Sequence, residues 1–165
     1  MSKLVDLAML AAKVGSYRTG TAVALKDADL LAIARMRRRE ISSRMVPLDK
    51  ESAARKIGPG KYLISRKIDG EFTCLVYRDG DVVSVNPYGT VRAGAPFHVE
   101  AGKLLAKAGV KNAIVGGELY VERPDGKRAR VHDVTRIARA PETEADIATL
   151  RFAAFAIYDL DGADL

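Results

Sequence analysis

Residues 71–86 read EFTCLVYRDGDVVSVN, and this stretch decides the fold class. Residues 71–77 and 82–86 are rich in β-branched and aromatic side chains, which pack well in strands. Between them, Asp79-Gly80 is a dipeptide typical of a tight hairpin turn. The stretch therefore predicts an antiparallel β-hairpin.

Further elements are predicted on both sides of the hairpin. Patterning indicates a strand over residues 62–66, a helix over 97–108 and a strand over 113–122. A turn at Pro124-Asp125-Gly126 should then lead into a returning strand over 128–134. The last predicted elements are a helix over 141–150 and an apolar strand over 151–158. This order of elements predicts an α+β domain.

The first 50 residues have a different pattern. Two sets of apolar residues recur there at helical spacing: Leu4, Leu7, Ala8, Ala11 and Val14, then Leu30, Leu31, Ala34 and Met36. Asp27 or Asp29 would open the second helix. We therefore predict a helical N-terminal segment over residues 1–50 and a domain over 51–165, with a turn at Gly58-Pro59-Gly60 near the boundary.

Composition is that of a globular protein, and its basic charge is compatible with a polyanionic partner but does not identify one. The 165 residues are enough for one domain with a core, and hydrophobic residues make up 48% of them. No apolar run approaches the roughly 20 residues of a membrane span, so we expect no membrane segment. A single cysteine, Cys74, suits a reducing cytoplasm. The net charge of +6 and an arginine-rich run at 35–44 suit nucleic acid, although a solvated helix face explains the run equally well.

Two common nucleotide-binding loops are excluded. Gly58-Pro59-Gly60-Lys61 lacks the first glycine of a P-loop, because Arg55 stands there, and Tyr62 replaces the hydroxyl residue that should follow the lysine. A dinucleotide-binding loop fails because Leu63 occupies the place of its third glycine. The two histidines, His98 and His132, have no metal-ligand spacing and are interpreted as packing or surface residues.

Lys67-Ile68-Asp69-Gly70 lies between two strand patterns, where a turn can present a lysine at a cleft. A lysine amine attacks phosphorus only when unprotonated, so a nucleophilic Lys67 needs burial or nearby cations such as Arg66 to lower its pKa. Asp69 would share a strand face with Lys67, and Gly70 permits close approach of backbone and ligand. The tetrad is short enough to arise by chance, and Lys67 is then only a turn residue.

Two later sequence blocks strengthen the hypothesis that Lys67 is a nucleophile. Gly116-Gly117-Glu118-Leu119-Tyr120-Val121 places a carboxylate within an apolar strand, and residues 152–162 read FAAFAIYDLDG. Together with the lysine tetrad, in this order, the blocks resemble three motifs of the ATP-dependent DNA ligases, whose relatives include RNA ligases and GTP-using mRNA-capping enzymes. The resemblance covers about residues 61–165 and leaves the first 50 or so residues unexplained.

The resemblance implies a fold, a reaction and a set of residues. The fold would be the antiparallel-sheet, ATP-grasp-like adenylation domain of covalent nucleotidyltransferases. Lys67 would take AMP from ATP, with Asp69 and Gly70 as its motif companions. Glu118 would lie near ribose and Mg²⁺, and Phe155 would stack beneath adenine. AMP would then pass to a 5′-phosphate at a nick in duplex DNA, or RNA, and we expect a monomer.

The chain also departs from the family pattern. Phe72 stands where many ligases have an arginine, and the segment that usually carries a ribose-binding arginine leaves only the displaced Arg92. Ala156 replaces a common aspartate, and Ser65 stands where an acidic residue often reads adenine. These departures weaken the implied preference for adenine.

The sequence is expected to be the front part of such an enzyme, because the family's later motifs would follow Asp161-Gly162. Residues 1–165 alone are therefore not expected to complete ligation. Three alternatives stay open: an RNA ligase, a GTP-using capping enzyme, and a basic nucleic-acid-binding module without catalysis.

Overall fold

The computed structural model describes residues 2–123, 125–127 and 129–164. Its strands are β1 (Ala11–Ala12), β2 (Arg18–Thr21), β3 (Glu71–Arg78), β4 (Asp81–Val85), β5 (Thr90–Ala93), β6 (Asn112–Val121), β7 (Leu150–Leu160) and β8 (Ala163–Asp164). Its α-helices are α1 (Asp29–Arg44), α2 (Lys50–Lys56), α3 (Pro96–Lys107), α4 (Val131–Arg139) and α5 (Glu144–Ala148). Two 3-10 helices lie at Leu7–Met9 and Ala22–Ala24.

All eight strands belong to one sheet, in the order β1-β2-β5-β4-β3-β6-β7-β8. Every neighbouring pair is antiparallel. Helices α1, α3, α4 and α5 pack on the faces of this antiparallel sheet, which confirms the predicted α+β class.

The hairpin that decides the class forms as expected. Arg78 of β3 pairs with Asp81 of β4 across a two-residue turn. Both turn residues, Asp79 and Gly80, have positive φ angles of 47° and 88°. Turns with this backbone match the right-handed twist of the strands they connect, and Asp-Gly is a preferred sequence for them.

Side-chain alternation gives the sheet two apolar faces. One face carries Cys74, Val76 and Val83 and is covered by Leu30 and Ala34 of α1. The other face packs on α3, α4 and α5 through buried residues that include Leu75, Tyr77, Val82, Leu119, Phe97, Val134, Ile137 and Ile147. Any residue of β3 or β6 therefore faces either α1 or the group of α3, α4 and α5.

The predicted N-terminal helix over residues 4–14 is wrong, whereas α1 confirms the second one. Instead, an Asp81 carboxylate oxygen accepts hydrogen bonds from Ser2 Oγ at 2.6 Å, Lys3 N at 2.8 Å and Leu4 N at 3.1 Å. These contacts hold the chain start against the β3–β4 hairpin. Strand β2 then pairs with β5, so the sheet continues across the predicted boundary at residue 50.

Two predicted strands are also wrong. Residues 61–69 have no regular structure, and no strand in the described ranges pairs with them. Where a strand was expected up to Val134, helix α4 begins at Val131, because Val134, Ile137 and Ala138 form a buried helical stripe. The predicted residues Pro124 and Arg128 lie outside the described residues.

The other predicted elements are confirmed with shifts at their ends. Helix α3 and strands β6 and β7 match their predictions within two residues. The helix expected over 141–150 is shorter, since α5 spans Glu144–Ala148. Strand β5 and helix α2 were not predicted. In the described part of the chain, no helix is long and apolar enough to cross a membrane.

Candidate nucleotide site on the sheet

Glu118 anchors the candidate site. It lies on β6 directly opposite Phe72 of β3, so both side chains belong to the sheet face that α1 covers. The backbone N–H of Gly70 donates a hydrogen bond of 3.2 Å to Glu118 Oε1. This contact joins the lysine tetrad to the block around Glu118, as the sequence hypothesis requires.

Gly70 makes that approach possible because it has no side chain. A Cβ at this position would lie 2.1 Å from the backbone oxygen of Leu119 and 2.9 Å from Glu118 Cγ. Real Cβ atoms are not found so close to backbone oxygens, so any other residue would push the segment away from β6. Glycine thereby sets how closely Lys67 and Asp69 approach Glu118.

Charges around Glu118 favour its ionised form, although burial opposes it. Partial burial raises the pKa of the Glu118 carboxyl above its ordinary value. The Gly70 hydrogen bond and the positive charges of Lys67 and Arg38 act in the opposite direction and lower that pKa. Two cations, one from the lysine tetrad and one from α1, therefore lie near one half-buried carboxylate.

Lys67 itself is exposed on the irregular stretch between residues 61 and 69. Lys67 and Asp69 also line a cleft of about 400 Å³, together with Tyr120 and Arg123. Asp69 forms an ion pair of 3.3 Å with Arg130, which precedes α4. The lysine is therefore accessible to a ligand from solvent, and Asp69 is tied to the scaffold.

Phe155 lies on the same sheet face as Glu118. Its ring centroid is 6.2 Å from that of Phe72, and its side chain is 55% exposed. The register of β6 and β7 shifts at Gly116 and Gly117, which pair with Ala156 and Ala154, so Phe155 is the extra residue of a bulge. The bulge presents an exposed aromatic ring beside the buried Phe72.

Phe152 faces the opposite side of the sheet from Phe155. Its ring stacks on Phe97 of α3, with centroids 6.2 Å apart. The two glycines of β6 give the rings of β7 their space: a Cβ on Gly117 would lie 2.3 Å from the Phe152 ring, and one on Gly116 would lie 2.5 Å from the Tyr158 ring. The Gly-Gly pair thus serves packing on both faces.

Arg92 does not join the candidate site. It pairs in register with Ser84 on the opposite face of the sheet, where its side chain is buried. Two of its nitrogens contact the Glu71 carboxylate at 2.7 and 3.2 Å. The ribose contact implied by the resemblance is therefore not supported by this position, because the sheet separates Arg92 from Glu118.

A buried histidine belongs to that same opposite face. Ala95 N donates to His98 Nδ1 at 3.1 Å, so the neutral ring carries its proton on Nε2, which lies 3.0 Å from Ser84 Oγ. Burial, and then the charge of Arg92, lower the pKa of His98 to about 3. His98 is a neutral packing residue, in agreement with the interpretation from sequence.

Arg38 of α1 is the site neighbour that sequence reasoning did not single out. Its guanidinium carbon lies 5.8 Å from the centre of the Phe72 ring. Only the packing of α1 across the sheet reveals this proximity. The arginine-rich composition of the helix was the one available signal.

Neither a protein-family model nor a curated protein sequence gives a significant match to the chain.

Proposed function

We propose that this chain carries the adenylating site of an ATP-dependent polynucleotide ligase, with DNA as the substrate of the complete protein. The observation that supports this most strongly is the hydrogen bond from Gly70 N to Glu118 Oε1. It joins two sequence blocks that are 48 residues apart and that were singled out for the same chemistry. Gly70 directly precedes β3, and the pairing of β3 with β6 brings it beside Glu118.

In the proposed reaction Lys67 is the nucleophile. Its amine first loses a proton to water, and Nζ then bonds to the α-phosphorus of ATP. The bond from that phosphorus to the bridging oxygen breaks, and pyrophosphate leaves with the electron pair. Nζ then releases a second proton to water, which leaves a lysyl-AMP phosphoramidate.

Glu118 fits two roles in this site. Its carboxylate can accept hydrogen bonds from ribose hydroxyls, and it can contribute to Mg²⁺ binding. In the described ranges, no three potential ligand side chains cluster as a metal site. That arrangement fits magnesium bound jointly with substrate phosphates, because Mg²⁺ commonly uses only one or two carboxylates there. Glu118 would be the protein ligand, and the ion would supply charge neutralisation.

The exposed ring of Phe155 fits a purine platform. An aromatic face stacks on a flat base, and Phe155 lies on the same sheet face as Glu118. Adenine stacked on this ring would bring its ribose toward the carboxylate. AMP would then pass from Lys67 to a 5′-phosphate at a nick, where the adjacent 3′-hydroxyl displaces it.

The proposal predicts a covalent adduct. The complete protein that carries this sequence, incubated with ATP and Mg²⁺, should gain the mass of one AMP, as measured by intact-protein mass spectrometry. GTP in a parallel reaction distinguishes the capping-enzyme alternative, which would give a GMP adduct instead. An unchanged mass with both nucleotides would contradict the proposal and favour a non-catalytic nucleic-acid-binding module.

A further inference from the structure

Helix α1 crosses the face of the sheet that bears Glu118. Leu30 and Ala34 bury its inner side against the sheet. Further along the helix, Arg37 lies 4.9 Å from the centre of the Tyr158 ring, and Arg38 lies 5.8 Å from the centre of the Phe72 ring. The helix therefore brings two guanidinium groups to the aromatic side chains of this face.

The arginines of this helix differ in the contacts that their side chains make. Arg37 contacts Glu40 at 3.2 Å as well as Tyr158. Farther back, Arg35 donates to the backbone oxygen of Pro87 at 3.0 Å. Arg38 has no ion pair or hydrogen bond with any side chain that the structure describes, and it is exposed. Its donors are available to a ligand.

The charges near Arg38 favour an anion. Arg38 and Lys67 contribute two positive charges around the single carboxylate of Glu118. Asp69 is also near, but its charge is paired with Arg130. The excess positive charge lies beside the amine that would attack phosphorus, where a triphosphate would carry its negative charge.

We propose that Arg38 binds a phosphate group of the nucleoside triphosphate, which makes α1 one wall of the nucleotide site. This inference rests on the proposed function. A guanidinium offers several donors in a plane and binds phosphate oxygens in a bidentate manner. Phe72 would support the guanidinium by a cation–π contact and leave its edge free for the phosphate. Arg38 would thus provide positive charge near the position where Phe72 replaces the arginine of many ligases.

The test compares Arg38→Gln with Arg39→Gln in the complete protein. The control removes the same charge from the next, exposed residue of the same helix, which does not contact Phe72. Binding of ATP and of adenosine is measured by calorimetry, and thermal unfolding checks the fold. We expect Arg38→Gln to weaken ATP binding at least about tenfold, because a charge-assisted hydrogen bond is lost. Adenosine binding and the Arg39→Gln variant should be unchanged.

Each other outcome has a distinct meaning. Equal ATP affinity of both variants and the wild type would overturn the role of Arg38 and leave the proposed function intact. An equal loss of ATP and adenosine affinity in Arg38→Gln would also overturn it, since the residue would then support the site and not the phosphate. A wild-type protein that binds no nucleotide would contradict the proposed function together with this inference. If Arg38→Gln unfolds, Arg38→Lys, which keeps the charge, should retain intermediate ATP affinity. A folded Arg38→Lys variant that loses its affinity for ATP and for adenosine alike would also overturn the role of Arg38.

Discussion

At the scale of single residues, Glu118 combines burial with charge. Its pKa is raised by partial burial, while the Gly70 N–H and the cations Lys67 and Arg38 partly offset that effect. A folded-state pKa above the unfolded value means that this group stabilises the fold most at low pH. That contribution is lost as the pH rises through the raised pKa. Glu118 therefore contributes less to stability at neutral pH than at low pH.

Glu118→Gln should impair adenylation while it preserves the fold. The amide keeps the size of the side chain, and its oxygen can still accept from Gly70 N, but the charge that binds magnesium or ribose is lost. A hydrogen bond to a charged group contributes about 1.5–3 kcal/mol, so the rate of AMP-adduct formation should fall at least about tenfold. Radiolabelled ATP in a single-turnover assay measures that rate.

Glu100→Gln is the matched control, because Glu100 is an exposed carboxylate of α3, which packs on the other face of the sheet. It should adenylate at the wild-type rate. The thermal midpoint of Glu118→Gln at neutral pH should equal or exceed that of the wild type. Normal adenylation together with a lowered midpoint would assign Glu118 a structural role.

The positions of residues in short sequence blocks could be predicted, whereas a position that depends on strand parity could not, and the roles of these residues stay predictions. Lys67, Asp69, Gly70 and Glu118 are brought together as the motifs implied. Arg92 is not, because one step along β5 decides which face a side chain occupies, and β5 itself was not predicted.

At the scale of elements, the segment before β3 controls the position of the nucleophile. Gly70→Ala would place a Cβ 2.1 Å from the backbone oxygen of Leu119, so the segment must move by about an ångström or more. A misplacement of that size costs about 100-fold in a reaction that depends on alignment. The rate of AMP-adduct formation should therefore fall about 100-fold in this variant.

Gly58→Ala provides the comparison, since a Cβ there meets nothing within 4 Å. It should leave the rate and the melting temperature unchanged. Wild-type adenylation by Gly70→Ala would show that the contact between Gly70 and Glu118 does not position Lys67.

Elements with strong local patterns were predictable, and those set by tertiary contacts were not. Local sequence patterns mark the turn of the hairpin, the apolar spacing of α3 and the apolar strands β6 and β7. Residues 4–14 also show a helical spacing, yet the Asp81 carboxylate and the sheet bind the chain start in other conformations. Helix α4 could have been predicted from its stripe of Val134, Ile137 and Ala138.

At the scale of the whole molecule, the two faces of the sheet differ in how far they are buried. The face toward α3, α4 and α5 is a packed core with the Arg92–Glu71 ion pair and the neutral His98. The opposite face is core under α1 and becomes an open surface around Glu118 and Phe155. The sequence indicated the class of this fold, but the joining of the N-terminal strands to the sheet depends on pairings between distant residues.

Because that face is open, we expect residues 1–165 alone to hold a nucleotide only weakly. Lys67 and Phe155 are both exposed, so a bound nucleotide would be accessible to water on one side. Phosphoryl transfer depends on positioning and on donors that surround the phosphates. The 165-residue chain should therefore bind nucleotide weakly and should not join a nicked duplex, as measured by gel electrophoresis. Efficient joining by the purified chain would show that its own residues complete the site.

Lys67 is proposed to form a covalent bond to AMP, and a radiolabelled adduct tests for this bond. Arginine keeps a positive charge but is effectively never deprotonated, so Lys67→Arg should give no adduct, whereas the control Lys61→Arg should be labelled like the wild type. The wild-type label should be released by mild acid and survive mild base, as a phosphorus–nitrogen bond does. A label that persists in Lys67→Arg, or one that is stable in acid, would contradict the account.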